Sequence, residues 1–155
     1  MSKIVALDFG LKRIGVAITD DFNIIASALD TVSSNNIIPF LNKIVEKNDI
    51  KTIVVGQPLQ KDYSPSFIEK EILKFIDLLK NKFPNISLER YDERYTSVIA
   101  KKVIIQSGLS KSKRRDKSLV DKISATIILQ SYLENLKNDF TNCSIRKSSF
   151  KKKMY

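Results

Sequence analysis

Apolar residues recur along this chain in two rhythms. Over the first thirty positions, strand-type runs at about 3–9, 13–19 and 24–30 are split by Gly10–Lys12 and by Asp20-Asp21-Phe22-Asn23, both with hairpin chemistry. The rhythm then becomes helical. Ile37, Phe40, Leu41, Ile44 and Val45 predict a helix from about 36 to 47 with Asn35 as its N-cap. Thr52–Val55 is a short apolar strand stopping at Gly56, and Gln57–Pro65 is a loop. Phe67, Ile68, Ile72, Phe75, Ile76 and Leu79 mark a helix over 66–82, which Pro84 prevents from continuing. A strand at 86–91 runs into Asp92-Glu93-Arg94, and a helix at 96–107 stops at Gly108. Ser110–Lys117 reads as a basic loop and 119–137 as the last helix; beyond Asn138 the pattern fades. The order β-β-β-α-β-α-β-α-α predicts an α/β fold: three antiparallel strands feed two parallel ones in a mixed five-stranded sheet flanked by helices. In such sheets, sites form at the carboxyl ends of the parallel strands.

Composition narrows the chemistry. A chain of 155 residues at 43% hydrophobic supports one core, assigned to 1–137, with 138–155 as a basic, flexible tail. No apolar run reaches the roughly 20 residues that span a bilayer, the N-terminus lacks a signal-peptide pattern, and the single cysteine, Cys143, fits a reducing compartment. The expected location is the cytoplasm. With no histidine in the chain, Ser-His and Cys-His nucleophiles and ordinary zinc sites are excluded. An enzyme built from this sequence must use carboxylates, Lys, Arg, Tyr, hydroxyls, or a metal on oxygen ligands, which favours magnesium or manganese. The net charge of +10 is uneven: residues 1–110 hold 15 Lys/Arg against 13 Asp/Glu, and residues 111–155 hold 12 against 4. A basic final third points to a polyanionic partner, nucleic acid first.

Four acidic positions stand out against this background. Asp8 ends a strand whose other members are apolar, and a core carboxylate is costly without a cationic partner. That partner is a metal ion, or Lys12 or Arg13. Asp92 and Glu93 close the last strand; Glu93 and Arg94 alone could form only a surface ion pair. Asp121 shares a helical face with Ala125, Ile128 and Tyr132. It also has capping-box spacing from Ser118, so capping and metal binding are both open. Gly10 and Gly56, in a chain with only four glycines, are candidate site walls.

The segments Leu7–Ala17 (LDFGLKRIGVA), Val54–Leu59 (VVGQPL), Asp92–Ser97 (DERYTS) and Val120–Ala125 (VDKISA) resemble, in order and spacing, the YqgF (RuvX) family over about residues 3–137. That family comprises bacterial RNase H-like nucleases, described as Holliday-junction resolvases and as nucleases maturing the 5′ end of precursor 16S rRNA. The resemblance implies an RNase H-like fold and an endonuclease dependent on Mg2+ or Mn2+, acting on structured RNA or branched DNA. By motif, Asp8, Glu93 and Asp121 are the implied catalytic acids and Asp8, Asp92, Glu93 and Asp121 the metal-ligand set, with Glu93 favoured over Asp92. Lys12, Arg13 and Arg94 are the implied phosphate contacts, and Lys111, Lys113, Arg114 and Arg115 extend the nucleic-acid surface. Two ions about 4 Å apart would serve in-line hydrolysis, with Asp8 bridging. Two departures from the family pattern are Asp62-Tyr63-Ser64, where a Gly-Ser is usual, and Gln57, where an apolar residue is common. The alternative function is a non-catalytic RNA- or DNA-binding ribosome-assembly factor, which basic charge fits equally but the acid cluster does not. A phosphate-binding ATPase of the actin and sugar-kinase type also carries Asp-x-Gly in its first hairpin, but needs two lobes where 155 residues supply one. Junction resolution would favour a homodimer, yet no dimer pattern is legible, so monomer and homodimer stay open.

Overall fold

The computed structural model describes the backbone of residues 2–57, 68–92 and 105–151, and the side chains within them except at 57, 114 and 141–151. Five strands, β1 (Lys3–Phe9), β2 (Arg13–Thr19), β3 (Ala26–Ser33), β4 (Ile50–Gln57) and β5 (Ser87–Asp92), form one sheet in the order β3-β2-β1-β4-β5. β1 pairs antiparallel with β2 and parallel with β4; β2–β3 is antiparallel and β4–β5 parallel, which is the predicted mixed sheet. β1 is therefore the central strand, and its near-continuous apolar run reflects burial on both faces.

Helices α1 (Ile37–Lys47) and α2 (Glu69–Lys82) cover one face. Their buried residues, Ile37, Leu41 and Ile44, then Ile72, Phe75, Ile76 and Leu79, fall on the predicted stripes and pack with Val5, Leu7, Val16 and Val55. A bidentate pair from Arg90 of β5 to Glu69 (2.8 and 3.1 Å) ties the start of α2 to the sheet. The opposite face belongs to the last helix, α4 (Lys117–Lys151), after a short α3 (Lys111–Arg114). Ala125, Ile128, Leu129, Tyr132 and Leu133 of α4 pack on Ile4, Ala6, Ala17 and Val54. Among the described residues no helix is long and apolar enough to cross a membrane.

Several boundaries differ from the sequence reading, each for a local reason. β3 starts at Ala26 because the Asp20 carboxylate accepts from the backbone N–H of Ile24 and Ile25 (2.8 and 3.0 Å), holding both in the turn. Those bonds also lower the pKa of Asp20. Asn35 is not an N-cap: a 3-10 turn over Ser34–Asn36 precedes α1. The stretch read as the loop Ser110–Lys117 contains α3, whose cap is Ser110, accepting from Lys113 N. The last helix begins at Lys117 and runs to Lys151 instead of spanning 119–137. Residues 105 and 106 are helical ahead of Gly108, whose φ of +73° suits the glycine expected there. Residue 107 is a turn where the predicted helix still ran, and residues 96–104 of that helix, like the Pro58-Leu59 loop with Tyr63, lie outside the described residues.

Candidate functional site

The hairpin register builds the site. Asp8 stands opposite Gly15, and Gly15 opposite Thr31 on the next strand. Pairing and alternation put Asp8 on the face of Ile4 and Ala6, against α4. A Cβ on Gly15 would collide with the backbone carbonyl of Asp121, so the missing side chain is the space that the first turns of α4 occupy. Asp121 is thereby seated on β2 beside the strand position of Asp8. Thr31 reinforces the docking by donating from Oγ1 to the carbonyl of Ser118 at 2.7 Å, and Lys122 meets Asp30 at 3.5 Å.

Asp121 does not cap its helix. Asp116 does, its carboxylate accepting from Ser118 N at 2.9 Å. The Asp121 carboxylate instead accepts from Arg13 Nε at 3.1 Å, with the Arg13 and Asp121 side chains 41% and 25% exposed. Arg13, expected to face phosphate, thus holds an acid of the set. The contact uses Nε, and the guanidinium remains accessible at the site's rim. Lys12 is exposed in the β1–β2 turn, which Ser34 pins by donating from Oγ to the carbonyls of Gly10 and Leu11 (3.0 and 2.9 Å).

The remaining predicted acids separate. Leu88 packs with the α1 and α2 core and Arg90 bonds Glu69, so Asp92 has the parity of that face, away from Asp8 and Asp121. Glu89 and Tyr91 have the other parity: Tyr132 of α4 donates to Glu89 at 2.6 Å and packs edge-on to Tyr91 with ring centroids 6.1 Å apart. Burial and the Glu89 bond push the Tyr132 hydroxyl pKa up, and burial raises that of Tyr91. Glu93 and Arg94 lie outside the described residues. Among the described residues, no three Asp, Glu, His or Cys gather as a group able to hold an ion.

Lys111, Lys113 and Arg115 are exposed at the α4 end that carries Asp121, beside a cavity of ≈ 320 Å³ lined by residues including Lys113, Ser118 and Lys122. The side chain of Arg114 is outside the described set. Gly15 is the site residue that sequence reading missed. The signal was available in the hairpin register, because the turn Gly10–Lys12 sets the glycine of β2 opposite Asp8.

Comparison with known proteins finds both sequence relatives and solved structures of the same fold. Proteins of Phocaeicola vulgatus and Christiangramia forsetii, each named "Putative pre-16S rRNA nuclease", are both 47% identical, over 137 and 133 residues. The first alignment covers 88% of this chain and 99% of the relative, the second 86% and 98%. Two solved structures share the fold. The RuvC of T. thermophilus, in complex with a Holliday junction substrate, gives a TM-score of 0.53 at 12% identity, covering 88% of this chain and 96% of that one. The Fowlpox virus resolvase, in complex with Holliday junction DNA, gives 0.51 at 17%, covering 86% and 98%. The RuvX family model, described as Holliday junction resolvase, matches residues 2–135, and the chain belongs to that family of enzymes acting on phosphodiester bonds.

Proposed function

We propose that this protein is a divalent-metal-dependent endonuclease of structured nucleic acid, with the 5′ end of precursor 16S rRNA as its principal substrate and the four-way DNA junction as the second. The observation that carries this reading is the seating of Asp121 on Gly15, directly across from Asp8. The donors suit a hard cation: they are carboxylates, the chain has no histidine, and the Arg13 guanidinium already marks a cationic position beside Asp121. Asp8, Asp121 and Glu93 are the residues that would hold Mg2+ or Mn2+, which when bound supplies an activated water and stabilises the leaving oxygen. Glu93 is preferred to Asp92 because Asp92 has the parity of the α1 and α2 face of the sheet, away from Asp8 and Asp121.

The protein's own residues orient the substrate. The central strand fixes Asp8, Arg13 fixes the Asp121 carboxylate, and Lys12 and Arg94 offset charge on the scissile phosphate. Lys111, Lys113, Arg114 and Arg115 follow the backbone without reading bases. The relatives' name supports RNA, and the family description supports the junction.

The test is metal-dependent cleavage of a 5′-extended 16S precursor and of a four-way junction, assayed side by side. Asp8→Asn is expected to abolish cleavage of both while leaving the circular dichroism spectrum and melting temperature unchanged. Glu93→Gln should lose more than the roughly 10–100-fold typical of an outer-shell partner, and Asp92→Asn less. Full activity in Asp8→Asn would overturn the assignment, and tight RNA binding with no cleavage in any metal would leave the assembly-factor reading.

A further inference from the structure

A second surface lies at the opposite end of the sheet. Lys3 begins β1, five residues and so about 17 Å from Asp8. There a groove of ≈ 460 Å³ opens between α1 and the β2–β3 strands, with Ile18, Leu29, Phe40 and Ile44 as its floor and Lys43 and Lys47 on its rim. The charge of Lys3, also on the rim, is met by Asp21 at 3.1 Å. Lys43 and Lys47 are exposed and make no ion pair among the described residues. They sit one helical turn apart, an arrangement that repels mildly until an anion lies between them.

The apolar surface around the groove is concentrated. Of nine exposed large hydrophobic side chains among the described residues, four (Phe22, Ile24, Ile25 and Leu29, 40% to 69% exposed) fall within one short segment. Scattered exposed apolar residues are ordinary, whereas a patch beside an open groove marks an interaction surface. β3 is also the edge strand, with no strand on its outer side among the described residues. Its sequence, ASALDTVS, has no lysine or proline, and side chains take its N–H groups only toward the ends, Ala26 donating to Gln130 Oε1 at 3.1 Å and Thr31 to Asp30 Oδ1 at 2.8 Å, which leaves the stretch around Leu29 between them.

We infer that this end of the sheet docks an extended, acidic segment of a partner protein. Its backbone would pair with the middle of β3 around Leu29, its large apolar side chains would fill the groove, and its carboxylates would meet Lys43 and Lys47. Charge complementarity selects this occupant. A second copy of the chain, itself at +10, would bring the same lysines to face each other across a two-fold axis. Nucleic acid would satisfy the lysines but leave Leu29 and Phe40 without an apolar partner, and the denser basic surface lies at the other end.

The experiment selects random twelve-residue peptides, displayed on phage, against the full-length protein. The best sequences are then synthesised and measured by fluorescence anisotropy on wild type, on Lys43→Glu/Lys47→Glu and on Leu29→Asp. Selected peptides should be net negative with at least two large apolar residues, and should weaken at least tenfold on either variant. Bound peptide should also slow hydrogen exchange of the β3 amides. Both variants should keep the wild-type melting temperature and bind structured RNA within twofold of wild type. Four results would overturn the inference: no enriched sequence; enriched sequences that are basic or insensitive to both variants; a tenfold loss of RNA affinity in the lysine variant, which makes the groove a nucleic-acid surface; or a sedimenting dimer that Leu29→Asp dissociates, which makes a second copy the occupant.

Discussion

Gly15 is the residue on which the candidate site turns. Its neighbours at the missing Cβ are backbone atoms of Asp121, which cannot swing aside as a side-chain tip could. Gly15→Ala must therefore lift the first turns of α4 from β2. The expected loss is about 3 kcal/mol, the upper end of the usual overpacking cost, read from urea denaturation, together with a fall in cleavage as Asp121 leaves Asp8. Gly108 provides the contrast. Among the described residues nothing lies within 4 Å of its notional Cβ and only its φ of +73° is unfavourable, so Gly108→Ala should cost about 1–2 kcal/mol and leave cleavage intact. Equal damage to cleavage from both would mean that Gly15 contributes only stability. Asp8 was legible from sequence because a lone carboxylate in an apolar strand is expensive wherever it occurs. Gly15 and the Arg13–Asp121 bond were not, because their partner comes from the far end of the chain and only tertiary packing supplies it.

At the scale of elements, the predicted apolar stripes of α1, α2 and α4 coincide with the buried residues, since burial of one face is what makes those segments helical. Their ends were harder to read. The acids Asp116 and Asp121 both sit near the start of α4, and local spacing suited Asp121 as the capping partner of Ser118. Arg13 claims Asp121, and the cap falls to Asp116. β3 slipped toward its C-terminus for a similar reason, the Asp20 side chain competing with the ladder for two N–H groups.

The packing of α4 on β5 leads to a pH prediction. The Tyr132 hydroxyl is buried, donates to Glu89, and has its pKa raised above the ordinary 10.0. The folded protein then holds a proton that the unfolded chain releases above about pH 10, so this contribution is whole below pH 10 and declines as pH rises toward the folded value. Tyr132→Phe should cost about 1 kcal/mol near neutrality and flatten the loss of stability between pH 10 and 11. Tyr91, whose pKa is raised as well, adds to the slope that remains. Identical alkaline slopes for wild type and variant, by denaturant titration at each pH, would remove Tyr132 from the account.

Across the whole molecule, charge is distributed unevenly between the two ends of the sheet. The carboxyl end of β1 gathers Asp8, Asp121, Arg13 and Lys12, and the exposed Lys111, Lys113 and Arg115 stand at the start of the helix that carries Asp121. This is the end toward which a polyanion should be drawn, and the draw must depend on salt. Each phosphate neutralised contributes about 0.9 to the slope of log affinity against log salt on duplex DNA and about 0.7 on single strands. Replacing Lys111, Lys113 and Arg115 with glutamine together should therefore flatten the duplex slope by about 2 to 3. The loss of affinity should be uniform across sequences, because phosphate contacts position the backbone and do not read it. Cleavage by bound enzyme at saturating substrate should persist if, as proposed, these side chains supply affinity and the acids supply chemistry. A variant with the wild-type slope, measured by filter binding from low to physiological salt, would mean that the phosphates are held elsewhere on the molecule.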